Sequence, residues 1–188
     1  MRIGILAAAL ILAAAPAVAN ENNPFAGAYI GAHAGYSFLD NEANFDGWNL
    51  GAQAGYMLAL GNGFNAGLET DVALSTANIK GTDGEIAFKY SQDWMASIRA
   101  KLGYQITTNI QPFVTGGIAW GKFKESATDG ESSESVSDIM QLWVLGGGVD
   151  YHIPATNIIA SAGVYQYFDT SISDGLTQFR LGANLKLN

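Results

Sequence analysis

Apolar and polar residues alternate with a period of two along most of this chain. The cleanest case is residues 94–106, where Trp94, Ala96, Ile98, Ala100, Leu102 and Tyr104 interleave with Met95, Ser97, Arg99, Lys101, Gly103 and Gln105. Successive side chains of a strand point to opposite faces, so the pattern predicts a strand with one greasy and one polar face. The dyad recurs in residues 27–39, 48–60, 64–77, 110–124, 139–153, 157–168 and 176–187, which makes eight strands. In the last of these, Phe179, Leu181, Ala183, Leu185 and Leu187 share one face and Arg180, Asn184 and Lys186 the other. In residues 110–124 the pattern does not choose a face. No stretch beyond the N-terminus shows a helical period that could cover a sheet.

The connections sort into two kinds. Residues 40–47, 78–92, 125–137 and 169–175 are long and acidic, whereas Gly61-Asn62-Gly63, Thr107-Thr108-Asn109 and Pro154-Ala155-Thr156 are short and uncharged. Gly and Asn tolerate the left-handed backbone of a tight hairpin. Outer-membrane barrels have an even number of antiparallel strands, short periplasmic turns and longer external loops. A soluble sandwich has no reason to sort its loops this way, and a soluble lipocalin-like barrel would need a polar outer face. Each predicted strand exceeds the roughly 9–11 tilted residues that cross a bilayer. The expectation is all-β: an eight-stranded antiparallel up-and-down transmembrane β-barrel.

The N-terminus adds an address. Arg2 precedes an apolar run over residues 3–15 and an Ala-x-Ala site at Ala17-Val18-Ala19, the layout of a secretory signal peptide cleaved after Ala19. The run is short beside the roughly 17–25 residues of a spanning helix. The expected division is a cleaved signal over 1–19 and one outer-membrane barrel domain over 20–188, with residues 20–24 as a periplasmic tail. No later stretch approaches a transmembrane helix, so a membrane form must be a closed barrel that satisfies its own backbone hydrogen bonds. There is no cysteine, so the sheet supplies the stability without a disulfide.

Charge narrows the partners. Asp and Glu number 17 against 9 Lys and Arg, a formal charge of −8 that becomes −9 once Arg2 is removed. Such a chain offers no basic patch for nucleic acid. Most acids fall in or beside the long connections; Glu69, Asp71 and Asp150 are left for the barrel interior, with Arg99, Lys101, Arg180 and Lys186. Centring the second long hairpin near Gly84 sets Glu69 opposite Arg99, with Asp71 and Lys101 on the diagonals, and residues directly opposite lie about 4.5–5.5 Å apart. An unpaired charge there would be costly, so these seven residues read as a plug of salt bridges. An ion path or a catalytic carboxylate is the functional alternative. The interior of eight strands is only just wide enough for side chains, which weighs against a constitutive pore.

Aromatic residues gather near strand ends. Phe38, Trp48, Trp94, Trp120 and Phe168 would form an outer interfacial belt, and Phe25, Phe64, Tyr104, Phe113 and Tyr151 an inner one. Catalytic chemistry is sparse. The two histidines are His33, mid-strand and inward, and His152, near a periplasmic end; a satisfied structural role suits each better than that of a general base. Neither is followed by the x-Ser of lipid A deacylase barrels. No Cys or His cluster suits a transition metal, and the acids of residues 125–138 lack the spacing of a calcium loop. No cofactor or resident metal is expected; weak divalent bridging to lipopolysaccharide phosphates is a secondary role those acids could take.

Three segments carry a family likeness. Phe25-Ala-Gly-Ala-Tyr29-Ile-Gly-Ala-His-Ala-Gly-Tyr36 resembles the first strand of the opacity-protein-like, OmpA-like family of small outer-membrane surface antigens, which opens with an aromatic-Gly-aromatic run leading into Gly-x-x-Gly-Tyr. Phe113-Val-Thr-Gly-Gly-Ile-Ala-Trp120-Gly resembles its fifth strand and Phe179-Arg-Leu-Gly-Ala-Asn-Leu its last. Members usually end on an aromatic read by the barrel-assembly machinery; here Leu187, followed by Asn188, stands in its place. The resemblance implies a barrel in the outer membrane of a Gram-negative cell, in contact with outer-membrane lipid and lipopolysaccharide, whose loops meet host, phage or environment. The expected function is non-enzymatic: envelope integrity and surface interaction through acidic extracellular loops. A small-solute porin or gated channel and a lipid-modifying outer-membrane enzyme are the alternatives.

Overall fold

The computed structural model describes residues 23–39, 46–83, 86–128, 133–169 and 175–187. The expected signal segment, the acids of residues 40–45 and those of residues 129–132 and 170–174 lie outside them. Regular structure in the described residues is all strand: β1 Gly27–Leu39, β2 Asp46–Gly61, β3 Phe64–Ser75, β4 Asn78–Asp83, β5 Ile86–Tyr104, β6 Ile110–Thr128, β7 Ser133–His152, β8 Ile158–Phe168 and β9 Leu176–Lys186. The order β1-β9-β8-β7-β6-β5-β3-β2 closes on itself through a β1–β2 ladder, and each pairing is antiparallel. β4 resumes the course of β3 after a break at Thr76 and Ala77, whose backbone groups bond Trp48 and Gln92. The nine segments therefore make eight staves.

Alternation sets the two faces. On β5 the outward residues run from Trp94 to Tyr104. Ten steps of about 3.4 Å, tilted by about 45°, rise ~24 Å, close to the roughly 25 Å apolar band of such barrels. Leu50, Leu68, Val72, Leu74, Val114, Leu145 and Leu181 all lie exposed on this outer face, as lipid contact requires. β6, whose pattern is ambiguous, buries Gln111, Phe113, Thr115 and Ala119 and exposes Val114. Its odd residues face the lumen; the inward apolar residues and Gly116-Gly117 hide the dyad.

Glycines face the lumen where other side chains cross it. A methyl group at Gly51 would sit 2.6 Å from the His33 ring, so only a bare backbone admits that imidazole. The Gly61-Asn62-Gly63 turn uses positive φ at all three residues, of 90°, 52° and 83°.

Two long connections are smaller than the alternation predicts. Residues 78–92 and 125–137 read as loops, yet β4 pairs with β5 from Asn78 opposite Ser91 to Asp83 opposite Ile86, and β6 pairs with β7 as far as Thr128 opposite Ser133. The dyad ends where the apolar environment ends, whereas the ladder needs only backbone groups and continues. These extensions of β4, β5, β6 and β7 form a four-stranded sheet beyond the barrel rim. β8 pairs with β7 only from Trp143 onward, so among the described residues Ser133 to Leu142 have β6 as their sole strand partner.

Candidate functional site

The polar side chains of the closed sheet converge on the lumen. β3 brings Glu69 and Asp71 inward, β5 brings Ser97, Arg99 and Lys101, β7 brings Asp150 and β9 brings Arg180, all buried. Register sets Glu69 directly opposite Arg99 and Asp71 opposite Ser97. The Arg99 guanidinium forks between the two acids, donating Nη2 to Glu69 at 2.5 Å and Nη1 to Asp71. Asp71 also accepts Ser97 Oγ at 2.6 Å and Arg180 Nη1 at 3.2 Å. Lys101 Nζ reaches Asp150 at 2.9 Å and Glu69 at 3.8 Å. Three acids thus meet three cations in one neutral cluster, the arrangement that offsets desolvation of buried charge. Both guanidiniums lie against the Tyr165 ring, Arg99 at 5.0 Å and Arg180 at 4.6 Å, and Lys101 Nζ lies 4.0 Å from the Phe113 centroid.

Neutral polar groups extend the cluster toward both mouths. Toward the turns, Asp150 accepts Ser161 and Gln111, Gln111 accepts from Asn65, and Asn65 accepts from Asn23 at 2.7 Å. Along the other wall Asn184 donates to Ser161 and accepts from Gln53, which bonds His33 at 3.1 Å. Toward the outer end, Arg180 donates to Gln178 and Tyr167, and Gln178 and Asn49 both donate to Ser37. Between Gln53, Glu69, Lys101, Ser161, Tyr165 and Arg180 a polar pocket remains, about the size of one water molecule.

Beyond this network the lumen changes character. Ala77, Met95, Ala119, Leu142, Val144 and Leu176 pack with Tyr165 and Tyr167 into an apolar cluster, joined by Leu39, Tyr90 and Phe123. The alternation treats every inward position as polar and so misses this cluster; its signal is Leu142, Val144 and Leu176, apolar residues at inward positions of strand ends.

Several single residues fall elsewhere than the sequence predicts. Lys186 lies at the turn-side rim, where Nζ donates to the Asn23 carbonyl at 3.2 Å, and among the described residues it has no carboxylate partner. Phe25 and Phe113 do not join the inner belt: both rings are buried inside the barrel, Phe25 edge-on to His152 and Phe113 beneath Lys101. For Phe25 the cause is the fold-back of residues 23–26 across the mouth, where Asn23 and Phe25 are buried instead of trailing as a tail. For Phe113 it is the odd, inward parity of β6. Phe64, Tyr104 and Tyr151 are exposed at the turn-side rim, and Phe64 and Tyr104 touch at 4.8 Å. Trp48 is exposed and Phe38, Trp94, Trp120 and Phe168 are half-buried at the opposite rim. Phe179, 5.8 Å from Phe38, and the exposed Trp143 stand with them; the sequence reading omits both. His33 is buried against Gln53, while His152 Nε2 donates to the Thr156 carbonyl of its turn. Among the described residues no three His, Asp or Glu are placed to hold a metal.

The comparisons with known proteins converge on this architecture. The model of the outer membrane protein beta-barrel domain matches residues 5–186. The 31 kDa outer-membrane immunogenic protein of Brucella melitensis is 33% identical over 156 residues, covering 68% of this chain and 64% of that protein, so the chain spans under two thirds of its relative's length. Among solved structures, Ail, the attachment invasion locus protein of Yersinia pestis, superposes with a TM-score of 0.57 at 16% identity, covering 86% of this chain and 99% of Ail. The outer membrane enzyme PagL superposes at 0.51 with 12% identity, covering 84% of this chain and 99% of PagL. Those two likenesses concern the fold. On the family model and the Brucella relative together, this chain belongs to the outer-membrane protein β-barrel family and is a protein of the outer membrane.

Proposed function

We propose that the chain is a non-enzymatic surface barrel: its membrane-spanning part is an inert, filled stave ring, and its external strands and acidic connections meet partners outside the cell while the barrel contributes to envelope integrity. The observation that carries this reading is the continuous lumen network from Asn23 to Ser37, in which the ion cluster leaves a pocket of only about one water. A solute path needs a wider, open column. The sheet made by β4, β5, β6 and β7 extends past the barrel rim and supplies surface for such contacts. The Brucella relative's name as an immunogenic protein agrees with surface display.

An enzyme reading draws on PagL, which shows that barrels of this shape can carry an active site. Against it, His33 is buried in the lumen and hydrogen-bonded to Gln53, and His152 serves a turn. The cleaved leader over 1–19 and recognition of the last strand by the barrel-assembly machinery belong to the same proposal, since export and assembly must precede display.

Membrane fractionation with protease shaving tests it. The protein is expected in the outer-membrane fraction, with cleavage of intact cells confined to residues beyond Trp94 and Trp120, and planar bilayers containing it should show no conductance steps. Stepwise conductance would replace the reading with a channel, and a change in lipid A mass on expression, abolished by His33→Ala, would replace it with an enzyme.

A further inference from the structure

The glycines of the lumen separate into two groups. At Gly31, Gly51, Gly67, Gly117 and Gly148 an added methyl group would lie no more than 2.4 Å from a neighbouring atom, so packing alone keeps these positions bare. Among the described lumen-facing glycines of ordinary strand backbone, only Gly163 and Gly182 leave such a methyl clear of 3.0 Å, with nearest atoms at 3.1 and 3.3 Å. Steric exclusion is thus weakest at these two, and both line the polar pocket of the ion cluster. Their bare backbone keeps that pocket open.

The rest of the wall is Gln53, Glu69, Lys101, Ser161, Tyr165 and Arg180, and it has hydrogen-bonding capacity left over. Arg180 gives Nε and Nη2 to Gln178 and Tyr167 and one Nη1 hydrogen to Asp71, four of the five that a guanidinium offers. Gln53 gives one Nε2 hydrogen to Asn184 and accepts His33 on its oxygen, which leaves the second Nε2 hydrogen. The Tyr165 hydroxyl, on a residue only 5% exposed, has no hydrogen-bond partner among the described residues. Lys101 Nζ bonds Asp150 at 2.9 Å but stands 3.8 Å from Glu69, too far for a direct hydrogen bond. Glu69 accepts from Arg99 and Tyr29, and a carboxylate with about four acceptor sites can accept again.

The signs of this wall choose the occupant. An anion would face the Glu69 carboxylate, and a cation would face Lys101 and Arg180. A neutral molecule that both donates and accepts suits every group, and the pocket is about the size of one water molecule. Buried polar groups left unmet are costly, and a polar gap beyond hydrogen-bond reach is where a bridging water belongs. We propose that the pocket is a binding site for one long-lived water molecule, which bridges Lys101 to Glu69 and meets the Tyr165 hydroxyl. It gives β8, which has no charged residue, a second link to the charged layer beside that of Ser161 to Asp150. The inference goes beyond the surface-barrel reading and is independent of what the external connections meet.

The test counts long-lived water in the full chain folded in detergent micelles, by oxygen-17 relaxation dispersion of the solvent, which is blind to proton exchange. Heat-modifiable gel migration checks the fold. Gly182→Ala puts a methyl group into the pocket and should lose one long-lived water per chain relative to the wild type. Gly163→Ala, on the neighbouring strand, should lose the same one, whereas Gly147→Ala, at an outward position of β7, should lose none. A wild-type barrel without such dispersion would overturn the water site. So would an unchanged count in folded Gly182→Ala, or in Gly163→Ala should Gly182→Ala not fold. Resistance to urea that rises with chloride at constant ionic strength would assign the pocket to an anion and overturn it as well.

Discussion

The lumen contains two interiors that solve the same packing problem by opposite means. At mid-height, Glu69, Asp71, Asp150, Arg99, Lys101 and Arg180 fill the space with charge, each acid bonded to at least one cation. Toward the external end, Ala77, Met95, Ala119, Leu142, Val144 and Leu176 fill it with hydrocarbon, as in a soluble core. Tyr165 and Tyr167 are the seam: their rings belong to the apolar cluster, while Tyr165 faces both guanidiniums and the Tyr167 hydroxyl accepts from Arg180 at 2.9 Å. The difference is in what each layer tolerates. Hydrocarbon packing is forgiving of shape but permits sliding; a forked ion pair tolerates neither loss of a partner nor a shift of register. The charged layer therefore fixes how β3, β5, β7 and β9 align, and the apolar layer seals the outer mouth.

Breaking the charged layer should have the largest effect. Arg99→Ala leaves Glu69 and Asp71 facing each other's neighbourhood without their shared cation, and removal of one partner from a buried pair costs about 3–5 kcal/mol. Urea unfolding of the barrel in micelles, followed by tryptophan fluorescence, measures it. Adding Glu69→Gln to Arg99→Ala should recover a good part of the loss, because two acids then meet two cations, Asp71 with Arg180 and Asp150 with Lys101. A loss under about 1 kcal/mol, or no recovery, would show that water enters the lumen and that the charges are not the fixed layer described.

The apolar layer should respond less and differently. Leu142→Ala removes hydrocarbon from a cluster near the mouth, for a loss of about 2 kcal/mol, the low end of the range for buried leucines. No neutralising substitution in the charged layer should rescue it. If Leu142→Ala equals or exceeds Arg99→Ala in the same assay, the outer seal and not the ion cluster organises the lumen.

Much of this layout is legible in the chain itself. The eight-stave barrel and the opposition of Glu69 and Arg99 follow from the dyad and the position of Gly84, because period two fixes parity and one hairpin fixes register. What escapes has local physical causes. Phe113 is apolar at an inward position because Lys101 uses its ring face, so residue type misleads about facing. Phe25 turns inward because the backbone before β1 folds across the mouth, which no periodicity records. β4 and the outer part of β7 read as loops because their residues are polar, although their backbones pair. Alternation reports the solvent on each face, and where both faces are wet it falls silent.

The smallest expected effect separates the inner mouth from both layers above it. Asn23 donates to Asn65, its side-chain oxygen accepts the Phe25 amide at 3.0 Å, and its carbonyl accepts Lys186. Asn23→Ala removes the first two and leaves the third, a loss of about 1 kcal/mol at typical values per neutral hydrogen bond. Residues 23–26 should then open locally, with faster amide exchange at Phe25 and Ala26 and none of that acceleration at Gln178, which lies beyond the ion cluster. Planar bilayers should stay silent, since Lys101 and Asp150 still bridge the lumen above the opened mouth. Conductance steps in Asn23→Ala would mean that the fold-back is itself the seal; unchanged exchange at Phe25 would mean that the Phe25 ring, wedged against His152, holds the segment without its hydrogen bonds.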